Sequence, residues 1–278
     1  MPNMNDLNFE AMTYMFKGEP GTRKSTQALS FPGPQYWFSW DRKMNGILLP
    51  MRKWGIDPKS ITYDDYEDWA KPRAKLEQLR VNCPYKTVVF DSVTSMADMT
   101  LRQTLKLKYG INRQSGAAAG KLIAGIAVNE IEDYNAESSA LNELLAGAKD
   151  LVDYHKINVI IVAHVVKAEY RDTTKKTTHI SRQIVTASKN TAAKFPAYMN
   201  EVYHFNIKQG FVEGGGGDYS ILTEHTGDDF ARSGLGLDRE IVMGDKPLYA
   251  TWIRPAIDKF TTPKPTVQPT STSGSFKQ

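Results

Sequence analysis

Four short apolar runs in this chain each break off on a glycine or a polar side chain, and that arrangement restricts the fold more than any other feature. TYMFK at 13–17 runs into Gly18, YWFSW at 36–40 into Asp41, TVVF at 87–90 into Asp91, and NVIIVA at 158–163 into His164. Runs rich in β-branched and aromatic residues, without polar alternation, suit strands covered on both faces. Between them the pattern predicts helices over 25–30, stopped by FPGP at 31–34, over 64–80, over 93–108 and over 121–155, the last broken near Asn135. Buried strands alternating with helices predict an α/β fold: a mostly parallel sheet with helices on both faces and functional groups at the carboxyl ends of its strands.

Residues 110–120 are small and polar enough to be a mobile loop, and 167–197 read as polar and irregular. Further on, 201–207 and 219–223 read as strands joined through a glycine turn at 214–217, so the C-terminal part is expected to be β-rich. The stretch TTPKPTVQPTSTSGSFKQ at 261–278 has three prolines, no acid and little to bury. It is expected to be a disordered tail on a core formed by residues 1–260.

Composition narrows the function classes. With 41% hydrophobic and 24% charged residues, the 278-residue chain can bury one large core or two small ones, and a single long domain is expected. No run of about 18 apolar residues could cross a bilayer, and MPNMNDLNFE lacks a signal peptide's basic start and apolar stretch. A cytoplasmic protein without a membrane partner is expected. Cys83 is the single cysteine, and the five histidines never fall at a metal-ligand spacing with it, so no structural zinc is expected. A net charge of +4 is mild, so a nucleic-acid partner would need a local basic patch.

GEPGTRKST at 18–26 lies between the first strand and the first helix and has the outline Gly-x-x-x-x-Gly-Lys-Ser/Thr, with Arg23 where the second glycine belongs. In such a loop the backbone N–H groups point inward and the following helix adds its positive end, so phosphate settles there. Gly18, Glu19, Pro20, Gly21, Thr22 and Arg23 would form the turn, Lys24 would reach the outer phosphates, Ser25 would bind Mg²⁺, and Thr26 would add a hydroxyl. Asp91 stands where a carboxylate can hold the same Mg²⁺ through water, or cap the next helix, or do both. Asp41 aims at the same sheet edge and could orient an attacking water, the alternative being a surface-turn aspartate. His164 could sense the terminal phosphate and pass its state to the next segment, unless it is a structural histidine.

The order GEPGTRKS, WFSWD, TVVFDSVTSM, NVIIVAH resembles the RecA-like core ATPases, most closely the small phage-encoded AAA-domain proteins that include Sak-type single-strand annealing recombinases. The resemblance covers roughly residues 12–260. It implies a RecA-like P-loop NTPase core that binds ATP and Mg²⁺, with Lys24 and Ser25 on phosphate and metal, Asp91 as the metal acid, Asp41 as the catalytic carboxylate and His164 as the sensor. It also implies that Arg232, in FARSGL, reaches the nucleotide of a neighbouring subunit. Two departures, Arg23 and an Asp41 one methylene shorter than the family's usual glutamate, predict slow hydrolysis. None of the eleven phenylalanines has alanine three residues later, so the Phe-x-x-Ala linkage of one filament branch is missing and self-assembly would use other contacts.

In RecA-like proteins the segments matching 109–125 and 166–197 face single-stranded DNA. The second carries Lys167, Arg171, Lys175, Lys176, Arg182, Lys189 and Lys194 against Glu169 and Asp172, an excess of five positive charges. Such residues neutralise phosphates without reading sequence, and Tyr170 or Phe195 could stack on bases; the alternative is a solvated loop. Three functions compete: an ATP-dependent single-strand-binding recombination or annealing protein; a replication accessory ATPase resembling a helicase loader; and, less favoured for want of an arginine-rich lid, a small-molecule phosphotransferase. The expected partners are single-stranded DNA, a single-strand-binding protein or replicative helicase, and further copies of the chain.

Overall fold

The computed structural model of the protein describes residues 9–115, 122–123, 126–127, 133–172, 177–186, 195–208, 218–227 and 229–261, with 109–115, 122–123, 126–127, 168–172 and 177–181 described by backbone alone. The strands are β1 (Thr13–Gly18), β2 (Gln35–Ser39), β3 (Ile61–Asp65), β4 (Thr87–Asp91), β5 (Leu122–Ile123), β6 (Ile126–Ala127), β7 (Asn158–Asp172), β8 (Thr177–Ile184), β9 (Glu201–Lys208), β10 (Asp218–Leu222) and β11 (Glu240–Val242). The α-helices are α1 (Lys24–Ala28), α2 (Leu48–Trp54), α3 (Ala70–Val81), α4 (Val93–Ser115), α5 (Asp133–His155) and α6 (Arg254–Thr261), the last entered through a π-helical turn at Tyr249–Ile253.

Nine of these strands form one sheet in the order β11-β10-β9-β1-β7-β4-β2-β3, with β8 paired to the outer half of β7; β5 and β6 pair separately. From β9 to β3 all neighbours are parallel, and β10 and β11 add antiparallel strands at one edge. The runs without polar alternation are buried on both faces because each strand supplies both cores. Met15, Tyr36, Phe38, Val88, Phe90, Val159 and Ile161 pack with α3, α4 and α5 on one side. Tyr14, Phe16, Trp37, Val89, Ile160 and Val162 pack with α1, α2 and the C-terminal helical segment on the other. Phe38 and Phe90 stack across adjacent strands with centroids 4.6 Å apart, a pairing that adds to burial.

Several expectations need correction. The segment expected to be helical from residue 64 begins as β3, an exposed edge strand, and its helix starts only at Ala70. ITYDD has strand-forming residues at one end and charge at the other, and only one neighbour, β2, pairs with it. The expected loop at 110–120 is helical through Ser115, as α4 carries on past Gly110, and 116–120 lie outside the described residues. Helix α5 runs unbroken through Asn135, and its N-terminal neighbours include β5 and β6 instead of helix. Of the stretch read as irregular, 167–197, residues 173–176 and 187–194 lie outside the described residues, while 167–172 and 177–184 belong to a hairpin in register from Val165↔Ile184 to Asp172↔Thr177. Its strands hold valine, tyrosine, threonine and isoleucine among the charges, which suits a ladder that leaves the main core. The glycine turn at 214–217 and the tail at 262–278 lie outside the described residues.

Candidate nucleotide site

The loop at 18–23 leaves β1 at the carboxyl edge of the sheet and enters α1 at Lys24. Two positions explain its glycines. A Cβ on Gly18 would stand 2.5 Å from the carbonyl oxygen of Phe205, its parallel partner on β9. Gly21 has φ +82°, a left-handed backbone that a side chain disfavours. Arg23 also lies left-handed, at φ 66°, which accounts for the glycine usual at this place in the motif. Its guanidinium does not enter the loop's concave side. It donates to the Gly244 carbonyl at 2.9 Å and to Asp245 at 3.1 Å, and lies 3.7 Å over the Tyr219 ring.

Lys24, only 4% exposed, folds back into the loop. Its Nζ donates to the carbonyls of Gly18 at 2.9 Å and Glu19 at 2.8 Å and reaches the Thr22 hydroxyl at 3.3 Å. Thr22 in turn donates to Glu19 O at 2.8 Å, closing the turn. Burial lowers the Lys24 pKa to about 8 against the raising influence of Asp91, Asp41 and Glu19. An ammonium held in this way offers its charge to an anion that can share its donors.

Pro20, Gly21, Thr22, Arg23, Lys24, Ser25 and Thr26 line a cavity of about 280 Å³ together with Asp41, Asp91 and His164. The carboxyl ends of β1, β2 and β4 therefore meet at one place with His164, which does not end its strand as the sequence predicts but lies within β7. Ser25 and Asp91 both line the cavity, close enough for the Ser25 hydroxyl to favour the Asp91 carboxylate. Burial, reinforced by Asp41 and opposed by Ser25, His164 and Lys24, pushes the Asp91 pKa up to about 6. Asp91 does not cap α4: that helix begins at Val93, and the Ser92 hydroxyl accepts from Ser95 N at 3.2 Å. A hydroxyl and a carboxylate joined at a desolvated wall, facing a lysine and a phosphate-shaped turn, fit a hard cation that keeps waters and shares phosphate oxygens. Ser25 and Asp91 would hold Mg²⁺, which supplies charge neutralisation of the phosphates when bound.

Asp41 is not a surface aspartate. Its carboxylate accepts from Ser92 at 3.1 Å, from Ser95 in a short contact, and faces His164 Nε2 at 3.4 Å. Burial alone would raise its pKa, but hydrogen bonds from His164, Ser95 and Ser92 hold it at about 2. It is thus a fixed anion able to accept a hydrogen bond from water. His164 is held by its backbone N–H on Thr94 Oγ1 at 3.0 Å, while its ring Nδ1 is buried without a hydrogen-bond partner. Sequence reading missed Lys43, Gly46 and Ile47, which complete the rim, and Ser92, Thr94 and Ser95, which position Asp41 and His164. The DSVTS run after Asp91 is the signal that could have found the last three.

Arg232 does not line this cavity. It is exposed and its backbone bridges Val202, near the start of β9, away from the carboxyl edge. Of the seven basic candidates, Lys167 is exposed on β7 and Arg171 lies in its backbone ladder, whereas Lys175, Lys176, Lys189 and Lys194 fall outside the described residues. Arg182 pairs with the buried Asp229 at 2.6 Å, so its charge is already matched. Phe195 is 1% exposed in the core, which removes it as a stacking platform.

The Asp229 pair belongs to a buried group beside the loop: Lys17, 2% exposed, and His204, whose Nε2 faces Asn206 at 2.8 Å and Asp229 at 3.5 Å. Burial, with help from the Lys17 charge, lowers the His204 pKa to about 4 against Asp229. Between about 4 and the unfolded value near 6.5 the unfolded chain binds more protons at this site, so stability is expected to fall as pH is lowered through that window. His204→Gln should flatten part of the decline in thermal melts recorded from pH 7 to pH 4; an unchanged slope would show that His204 is not its source.

A phosphate-type loop between β1 and α1, with its acid at the end of β4, defines a P-loop α/β nucleotide-binding domain. Over residues 10–234 the sequence matches the AAA domain family, and the chain belongs to that family of nucleotide-binding ATPases. No curated protein matches the sequence. Among the described residues, no helix is long and apolar enough to cross a membrane.

Proposed function

We propose that the protein is a Mg²⁺-dependent ATPase that binds single-stranded DNA and acts in recombination or strand annealing of the phage, RecA-like type. The observation that carries the ATPase reading is the shared cavity in which Lys24, Ser25, Asp91, Asp41 and His164 meet. On this reading Lys24 binds phosphate oxygens, Ser25 and Asp91 would hold the metal, and Asp41 orients the attacking water by accepting a hydrogen bond from it. Turnover is slow on this reading, because Arg23 is drawn away from the phosphates and Asp41 is tied to three donors.

DNA binding is supported by the path of β7. It passes His164 at the cavity and continues without interruption into the hairpin that carries Lys167 and Arg171, with Lys175 and Lys176 in the sequence between β7 and β8. Anisotropy of a labelled single-stranded oligonucleotide, titrated with protein and Mg·ATP at several salt concentrations, tests this. Affinity should fall steeply with salt, and reversing Lys175 and Lys176 to glutamate should reduce the log–log slope by roughly 1.4 if each contacts one phosphate. Unchanged affinity in that variant, with nucleotide binding intact, would remove the hairpin as the DNA surface.

A second reading, an accessory ATPase acting on a protein such as a replicative helicase, is favoured by a groove of about 900 Å³ beside Asp41. Its wall mixes Arg42, Lys43, Arg102 and Lys106 with Glu67, Asp68 and Asp98 around Trp40, Tyr66 and Met99. Balanced charge suits a protein segment better than a phosphodiester chain. Strand annealing with and without ATP, run beside capture of the helicase, separates the two.

A further inference from the structure

Arg23 occupies a left-handed position that glycine normally fills, and the cost of a Cβ there has to be offset by something that holds the residue in place. A turn at 244–246 offers the Gly244 carbonyl and the Asp245 carboxylate to the guanidinium, while the ring of Tyr219 from β10 lies beneath it at 3.7 Å. The turn is itself secured. Lys53 Nζ reaches Asp245 at 2.6 Å, Trp54 Nε1 donates to the Asp245 carbonyl at 3.0 Å, and Gln27 of α1 donates to Lys246 O at 3.1 Å while accepting from Leu248 N at 2.8 Å. The phosphate loop is therefore gripped from outside by α2, by β10 and by a segment that follows residue 234, where the family match ends.

We propose that Arg23 and Asp245 are positioning residues for nucleotide binding: their ion pair takes over the work of the missing glycine, holding 19–25 in the phosphate-binding shape from behind. The inference rests on the nucleotide reading of the cavity for its consequence, though not for its geometry. Arg23 then has value only with its anchor. Glycine at the same place needs none, since it adopts φ near +66° without a side-chain penalty. Alanine has the penalty without the anchor. Because the side chain of Asp245 is 63% exposed, the pair is also screened by salt.

The test is a mutant cycle on the full chain with two readouts, amide hydrogen exchange of residues 19–25 without nucleotide and calorimetric Mg·ATP affinity. Asp245→Asn should speed exchange in the loop and weaken Mg·ATP binding roughly two- to fivefold. In the Arg23→Gly background the same Asp245→Asn change should do neither, and Arg23→Ala should exchange faster than Arg23→Gly. The proposal is overturned if Asp245→Asn leaves exchange unchanged in the wild-type loop, or alters it equally in both backgrounds. Failure of wild-type protein to bind Mg·ATP would sink the nucleotide reading and the binding role with it, while the exchange cycle still decides whether the anchor shapes the loop.

Discussion

Lys24→Ala is expected to lower affinity for Mg·ATP by roughly tenfold to a hundredfold, the equivalent of losing one hydrogen-bonded charge contact. The side chain already sits inside the loop, bonded to the carbonyls of Gly18 and Glu19. Phosphate oxygens can share the same ammonium and would favour its protonated form, which burial disfavours. Alanine removes the charge and leaves the two carbonyls without their donor, so a modest fall in melting temperature should accompany the binding loss. Calorimetry at neutral pH, with a thermal melt to verify folding, is the check. A folded Lys24→Ala protein that binds Mg·ATP as the wild type does would mean that the cavity is not a nucleotide site.

The second large effect is structural. Gly18→Ala puts a methyl group 2.5 Å from the Phe205 carbonyl, 2.9 Å from Thr22 Oγ1 and 3.0 Å from Phe205 Cβ. The first of these atoms belongs to the backbone of a buried neighbouring strand, so it cannot swing away as a flexible side chain would. Relief requires β9 to move off β1, and a loss of roughly 1–3 kcal/mol is expected, as for other overpacked sites. Gly21→Ala makes a useful contrast. Its added Cβ meets nothing within 4 Å, and only the positive φ penalises it, so about 1–2 kcal/mol is expected from backbone strain alone. Chemical denaturation of both variants would rank them; equal losses would show that strand contact at Gly18 is not limiting.

The parts of the fold that could be read from the sequence were those whose cause is local or periodic. Strands β1, β2, β4 and β7 announced themselves because residues buried on both faces leave an unbroken apolar run. The carboxyl-edge meeting of Lys24, Asp91, Asp41 and His164 followed, since parallel strands deliver their ends to one edge. What stayed hidden depends on distant partners. Strand β3 is exposed and charged, so only its pairing with β2 makes it a strand. Beyond Val165 and Ile184, which still reach the core, the β7–β8 hairpin leaves the main sheet and the apolar pattern no longer marks a strand. Arg23 was legible as an anomaly in its motif, but Asp245, which explains it, is 222 residues away. In the same way, Asp41's placement depends on Ser92 and Ser95, 51 and 54 residues further on.

The length of β7 has a mechanical consequence. It is one strand of 15 residues, paired with β4 as far as Ile161 and with β1 as far as His164, and running on from there against β8. From His164 to Asp172 this run measures about 26 Å at the usual rise. A rotation of about ten degrees at the His164 end would sweep the hairpin's far end through some 4–5 Å at that rise, so an ångström-scale rearrangement at the cavity can become a visible displacement at the tip. The same stiffness works backward: a load seated on the hairpin would press on the histidine at the root of the lever.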